Sequence, residues 1–136
     1  MNKANINSNL IQTAALLGAL GVVLGAFGAH GLRSRVPTEA LSVFEVGVRY
    51  LMYHVFAIAL TGILYGIGNK KRLKWAGNLF VTGIILFSGS LFALTFAMGA
   101  DNPSLLKLGI ITPFGGVCFI AGWLLLAFSF GKNQGN

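Results

Sequence analysis

The sequence predicts an all-α integral membrane protein: four transmembrane helices in an antiparallel bundle, with an interfacial amphipathic extension before the second helix. Three observations carry this expectation. Of 136 residues, 55% are hydrophobic and 10% charged, where an ordinary soluble domain has about a quarter of its residues charged. Four apolar runs each reach the roughly twenty residues that a helix needs to cross a hydrocarbon core. The charges collect mostly at the ends of those runs, where they act as topology signals and headgroup contacts.

The length suits one domain, residues 1–136. The net charge of +7 does not point to nucleic acid, because the basic residues are few and form no stripe. The single cysteine, Cys118, supplies neither an intramolecular disulfide nor a metal framework.

The first helix is expected at residues 10–29. It carries no charge, and Gly18, Gly21, Gly25 and Gly28 recur at every third or fourth position. A seam of small residues lets another helix approach closely, so this helix is read as the packing spine. Lys3 ahead of the run and Ala26-Phe27-Gly28 at its end resemble a secretory signal. The apolar core is longer than the usual 7–15 or so residues of such a signal, so a retained helix is expected.

A loop at residues 30–37 follows, punctuated by Gly31 and Pro37. Thr38 is a candidate N-cap, and Glu39 favours the first turn of the second helix, residues 38–67. Thirty residues of helix run to about 45 Å, too long for a core of about 30 Å. The span is therefore placed at 49–67. Before it, Leu41, Phe44 and Val48 form an apolar face, with Glu45 and Arg49 at pairing distance on another. Residues 68–74 read as a tight basic loop. Trp75 then anchors the third helix, 75–98. The fourth, 105–130, is interrupted by Thr112-Pro113 and Gly115-Gly116. Pro113 either kinks this helix or starts a fresh one capped by Thr112, and the kink is favoured.

Lys3, Lys70, Lys71, Arg72, Lys74 and Lys132 fall on one side of such a bundle. Arg33, Arg35, Arg49 and Lys107 fall on the other. The positive-inside rule then puts both termini in the cytoplasm.

His54 is the leading candidate for chemistry, about 7–8 Å deep if the helix enters near Arg49. The favoured alternative is plain interhelical hydrogen bonding, with Thr95 and Thr112 as partners at similar depth. His30, at the end of the glycine seam, could face His54. These two with Glu45 match no known metal motif, so no metal is expected. Arg49, Tyr50 and Tyr53 read as an interfacial belt, or else as a site for a lipid phosphate. Ser88-Gly89-Ser90 reads as helix-packing hydroxyls. Trp123 lies deeper than the belt and needs a hydrogen-bond partner. No Asp or Glu falls within a span, and no nucleophile–base pair, phosphate loop or zincin motif occurs.

Four motifs occur in an order that resembles one known family. They are Gly25-Ala26-Phe27-Gly28-Ala29-His30-Gly31-Leu32, Val48-Arg49-Tyr50 with Tyr53-His54, Phe87-Ser88-Gly89-Ser90-Leu91, and Ile111-Thr112-Pro113 through Gly115-Gly116 to Gly122-Trp123. The chain resembles the domain of unknown function 423 family, the YwdK/YgdD-like small membrane proteins, to which transmembrane protein 256 of animals is related. The resemblance implies four membrane helices and no established activity.

The expectation for function is a non-enzymatic accessory or structural protein without a cofactor. It would bind lipid or a membrane-protein partner through an outer polar layer of His30, Arg49, Tyr50, Tyr53, His54, Thr95 and Thr112. Lys70, Lys71, Arg72 and Lys74 would meet anionic lipids. The alternative is a small channel or transporter. That version requires a homo-oligomer, for which Gly62 and Gly66 could supply a dimer face.

Overall fold

The computed structural model describes residues 5–100 and 102–131, so Lys3 and Lys132 lie outside the described residues. Four helices are long and apolar enough to cross a membrane: α1 (Ser8–Leu32), α2 (Thr38–Gly66), α3 (Lys70–Gly99) and α4 (Leu105–Phe130). No strand occurs among the described residues. All four helices present large apolar side chains outward. Leu16 is 74% exposed, Phe56 67%, Ile85 65% and Ile120 63%. A ring of exposed apolar surface on every helix is what lipid as the solvent requires.

The helix boundaries follow local chemistry and move several expected limits. Asn7 caps α1 by accepting the Leu10 N–H at 3.2 Å. α1 ends in a wide π turn, Gly28–Leu32, so His30 lies on the helix and not in a loop. Thr38 is the first residue of α2 and not its cap; Pro37 occupies the cap position. Residues 70–74 form the opening turns of α3 and not a loop, because Asn69 caps them by accepting the Arg72 N–H at 3.0 Å. Lysine and arginine are good helix formers, so the basic run extends the helix once a cap is present. Trp75 thus sits inside α3, 57% exposed.

α4 changes helix type at Ile111, which is the restart alternative and not a kink inside one continuous α-helix. A 3₁₀ segment, Leu105–Ile110, gives way to an α-helix, Thr112–Ala127, with Pro113 in its first turn. A first-turn proline gives up no intrahelical bond. Thr112 does not cap this helix with its side chain; its hydroxyl pairs with that of Ser90 at 2.7 Å.

α1 packs along α2 through the glycine seam. Gly18 faces Val55, Gly21 faces Leu51 and Met52, Gly25 faces Val48, and Gly28 faces Phe44. A methyl group on Gly28 would lie 3.0 Å from the Phe44 ring. The Gly62–Gly66 pair is used within the chain. Gly62 accepts the Asn7 N–H at 2.9 Å, and a Cβ on Gly66 would lie 2.7 Å from the Asn5 carbonyl oxygen. The expected dimer face is therefore occupied by the chain's own N-terminal segment.

This register sets depth. The uncharged stretch of α1, residues 10–29, spans about 30 Å, one hydrocarbon core. His54 lies between Leu51–Met52, opposite Gly21, and Val55, opposite Gly18. It is therefore near mid-membrane, about 15 Å deep, twice the sequence-based depth. The amphipathic extension of α2 correspondingly shortens to residues 38–43. Arg49 falls about 7–8 Å inside the apolar layer, within reach of its edge by snorkelling.

α2 packs on α3 through polar ties. Ser88 donates to the Gly47 carbonyl at 2.7 Å, and the Thr95 hydroxyl shares its one proton between the carbonyls of Ala40 at 3.2 Å and of Leu91 in its own helix at 2.9 Å. α3 packs on α4 through a second glycine set: Gly83 against Phe119, Gly115 against the Phe87 backbone, and Gly122 against Phe80. At the end where α1 and α3 begin, Arg72 donates to the Phe128 carbonyl at 2.5 Å, holding the last turn of α4. This end is called the basic end below.

Candidate functional site

α2 and α4 lie on either flank of α3 and leave a furrow of about 770 Å3. Tyr50, Tyr53, His54 and Phe56 of α2 form one wall; Gly116, Phe119, Ile120 and Trp123 of α4 form the other; Phe87 of α3 lies between them. Tyr53 is 55% and Trp123 44% exposed, so the furrow opens toward lipid.

His54 bridges the walls. It is 4% exposed. Its Nδ1 lies 2.7 Å from the Tyr50 carbonyl, and its Nε2 lies 3.3 Å from the Trp123 indole nitrogen. A carbonyl only accepts and an indole N–H only donates. The proton therefore sits on Nδ1, and Nε2 accepts from Trp123. Both ring nitrogens are satisfied in a neutral imidazole. The ring also stacks on Phe119, with centroids 3.4 Å apart and planes 5° apart. Phe80 lies 5.7 Å from the His54 ring, tilted to it, and edge-on to Trp123 at 5.2 Å, and Tyr50 stacks on Phe87 at 4.6 Å. Two polar side chains thus cancel one another at mid-membrane, and the furrow presents an almost wholly apolar, aromatic surface. Among the described residues, no buried side-chain nitrogen or oxygen lacks a partner.

The residues expected in one outer layer divide into separate places. Tyr50, Tyr53 and His54 share the furrow. Arg49 lines a different groove, of about 180 Å3 between α1 and α2, with Glu45, Gly25 and Gly28. His30 lines neither and is exposed on the last turn of α1. Thr95 and Thr112, the expected partners of His54, are engaged with Ala40 and Ser90. The partner that His54 does have is Trp123, and of the furrow's lining only Phe56, Phe119 and Ile120 carry no signal in the sequence pattern. Tryptophan and histidine were each recognisable as needing a bond, but their pairing depends on a register between helices 69 positions apart. Among the described residues, no three His, Cys, Asp or Glu side chains gather as metal ligands would.

Comparison with known proteins places the chain. The family model described as "Protein of unknown function (DUF423)" matches residues 24–116. The UPF0382 membrane protein YwdK of Bacillus subtilis is 43% identical over 120 residues, covering 85% of this chain and 90% of its own. The UPF0382 membrane protein SAB0533 of Staphylococcus aureus is 41% identical over 124 residues, covering 88% of this chain and 96% of its own. A UPF0382 membrane protein of Haemophilus influenzae is 36% identical over 129 residues, covering 95% of this chain and 98% of its own. No solved structure matches the chain. A family model over most of its length, relatives matched almost end to end and four membrane-length helices agree that this multi-pass bacterial membrane protein belongs to the DUF423 family.

Proposed function

We propose that the protein is a non-enzymatic accessory protein of the bacterial cytoplasmic membrane whose aromatic furrow holds the hydrocarbon chain of a lipid. The observation that supports this reading is the furrow itself: about 770 Å3, open to lipid, with its central polar atoms bonded to each other. Its volume is within the 300–1,000 Å3 or so of ligand sites. A partner helix about 10 Å across would fill that volume in roughly 10 Å of its length, about a third of a 30 Å core. A single hydrocarbon chain is far narrower and could follow the furrow. A membrane-protein partner is therefore the competing occupant, with the weaker fit.

Both termini are assigned to the cytoplasm, on the excess of lysine and arginine at the basic end. Lys70, Lys71, Arg72 and Lys74 there would attract anionic lipids. An oligomeric channel draws less support, since Gly62 and Gly66 pack within the chain and His54 has no unbonded ring nitrogen.

Native mass spectrometry of protein gently extracted from its own membrane tests the proposal. A monomer retaining lipid, and losing it in Gly116→Leu, is expected. Gly116 lines the furrow, and a Cβ there meets nothing within 4 Å, so leucine obstructs the furrow without disturbing the fold. A lipid-free homo-oligomer, or a stoichiometric protein partner whose binding Gly116→Leu abolishes, would contradict it.

A further inference from the structure

A second cleft, sharing no residue with the furrow, lies between the opening turns of α1 and α3 at the basic end. It measures about 600 Å3 and is walled by Asn9, Thr13, Tyr65, Lys74, Asn78 and Thr82. Its composition is unusual for this molecule. Lys74, Asn78 and Thr82 recur every four residues along one face of α3, and all three are exposed. Asn9 and Thr13 answer them on α1 at the same spacing. A polar side chain turned toward bare hydrocarbon carries a desolvation cost that a polar ligand removes, and within this cleft that cost falls on the inner pair, Thr13 and Thr82.

The packing fixes their depth. Leu10 begins the uncharged stretch of α1 and sits on Gly77, where a Cβ would lie 2.7 Å from Leu10 Cδ2. Asn9 and Asn78 therefore lie at the edge of the apolar layer. Lys74 stands about one turn, roughly 5 Å, outside it, and Thr13 and Thr82 about one turn inside. From outside inward the order is a cation, then amides, then hydroxyls. A glycerophospholipid presents its groups in the matching order: phosphate, glycerol, then ester carbonyls at the head of the acyl chains. α1 and α3 also both direct their N-terminal, positive ends to this side.

We propose that this cleft binds the phosphate–glycerol portion of a glycerophospholipid. Lys74 donates to the phosphate oxygens, the Asn78 amide N–H groups to the glycerol oxygens at the edge of the apolar layer, and the hydroxyls of Thr13 and Thr82 to the ester carbonyls. This site recognises a headgroup by hydrogen bonds, whereas the furrow takes an apolar chain without them.

The test uses the full chain in detergent, with phosphatidylglycerol and inorganic phosphate as separate probes. Phosphatidylglycerol is expected to raise the melting temperature saturably. The double variant Lys74→Gln/Asn78→Leu, both at exposed positions, is expected to weaken that binding at least tenfold, while Lys70→Gln/Lys71→Gln changes it less than twofold. Unchanged phosphatidylglycerol binding in Lys74→Gln/Asn78→Leu would overturn the site. Equal weakening by Lys70→Gln/Lys71→Gln would replace it with diffuse charge attraction. Equal stabilisation by inorganic phosphate would reassign it to a free anion. Gly116→Leu, which blocks the furrow, leaves this binding unchanged, so the two sites fail or stand separately.

Discussion

Replacing His54 with leucine removes the link between the two walls of the furrow, and its cost can be worked from the contacts. The Trp123 indole loses its acceptor at 3.3 Å. Polar interhelical bonds in membranes contribute on average about 0.6 kcal/mol and up to about 1.7. The stack on Phe119 adds roughly 0.5–1.5 kcal/mol. The bond to the Tyr50 carbonyl adds little to the difference, because it lies within one helix turn. Leucine fills most of the volume, so the cavity contribution is small. The expected destabilisation is about 1–3 kcal/mol, with membrane insertion intact. Reversible unfolding in mixed micelles measures it, and Trp123→Phe completes a double-mutant cycle. The hydrogen bond predicts a coupling of about 0.5–1.7 kcal/mol between the two positions. Additive single-mutant effects would refute the pairing of His54 with Trp123.

Two further pairs of observations give sharp contrasts. In Gly115→Ala the new methyl would lie 2.4 Å from the Phe87 backbone nitrogen, so α3 and α4 must separate, at about 1–3 kcal/mol of overpacking. Gly116→Ala meets nothing within 4 Å and should stabilise by up to about 1 kcal/mol through helix propensity. Melting temperatures of the two variants moving together would contradict the α3–α4 register. In Gly62→Leu the side chain would collide with Ile11 and the Asn7 carbonyl. Stability should fall by about 1–3 kcal/mol with no change in mass by light scattering. A variant of wild-type stability that loses an oligomeric state would restore the dimer face.

The parts of this fold legible in the sequence are those written in local pattern. The uncharged run at 10–29 and its glycines announce both a span and its packing face, because a stripe of small residues has few other uses in lipid. The glycines meet α2 at Phe44, Val48, Leu51, Met52 and Val55. The start of α3 is hard to read because its basic turns look like loop, although Asn69 supplies a cap that makes helix the better state. The break at Pro113 was visible, but its outcome depended on whether 3₁₀ geometry could precede it. The depth of His54 is not legible in the sequence, where Arg49 marks the membrane edge; the register with α1 carries the edge out to about residue 43. The furrow was least legible of all. It arises because α2 and α4 flank α3, and its closing bond joins side chains 69 positions apart.

The central claim is that a hydrocarbon chain occupies the furrow at mid-membrane, against Trp123. Quenching of tryptophan fluorescence by lipids brominated on the acyl chain tests it most directly. The protein carries Trp75→Phe, leaving Trp123 as the one reporter of the two tryptophans in the chain. The account predicts strong quenching by bromine placed deep in the chain, weak quenching by bromine near the headgroup, and loss of the deep quenching in Gly116→Leu. Deep quenching that is equal with and without Gly116→Leu would mean that Trp123 merely touches bulk lipid, and would contradict a bound chain.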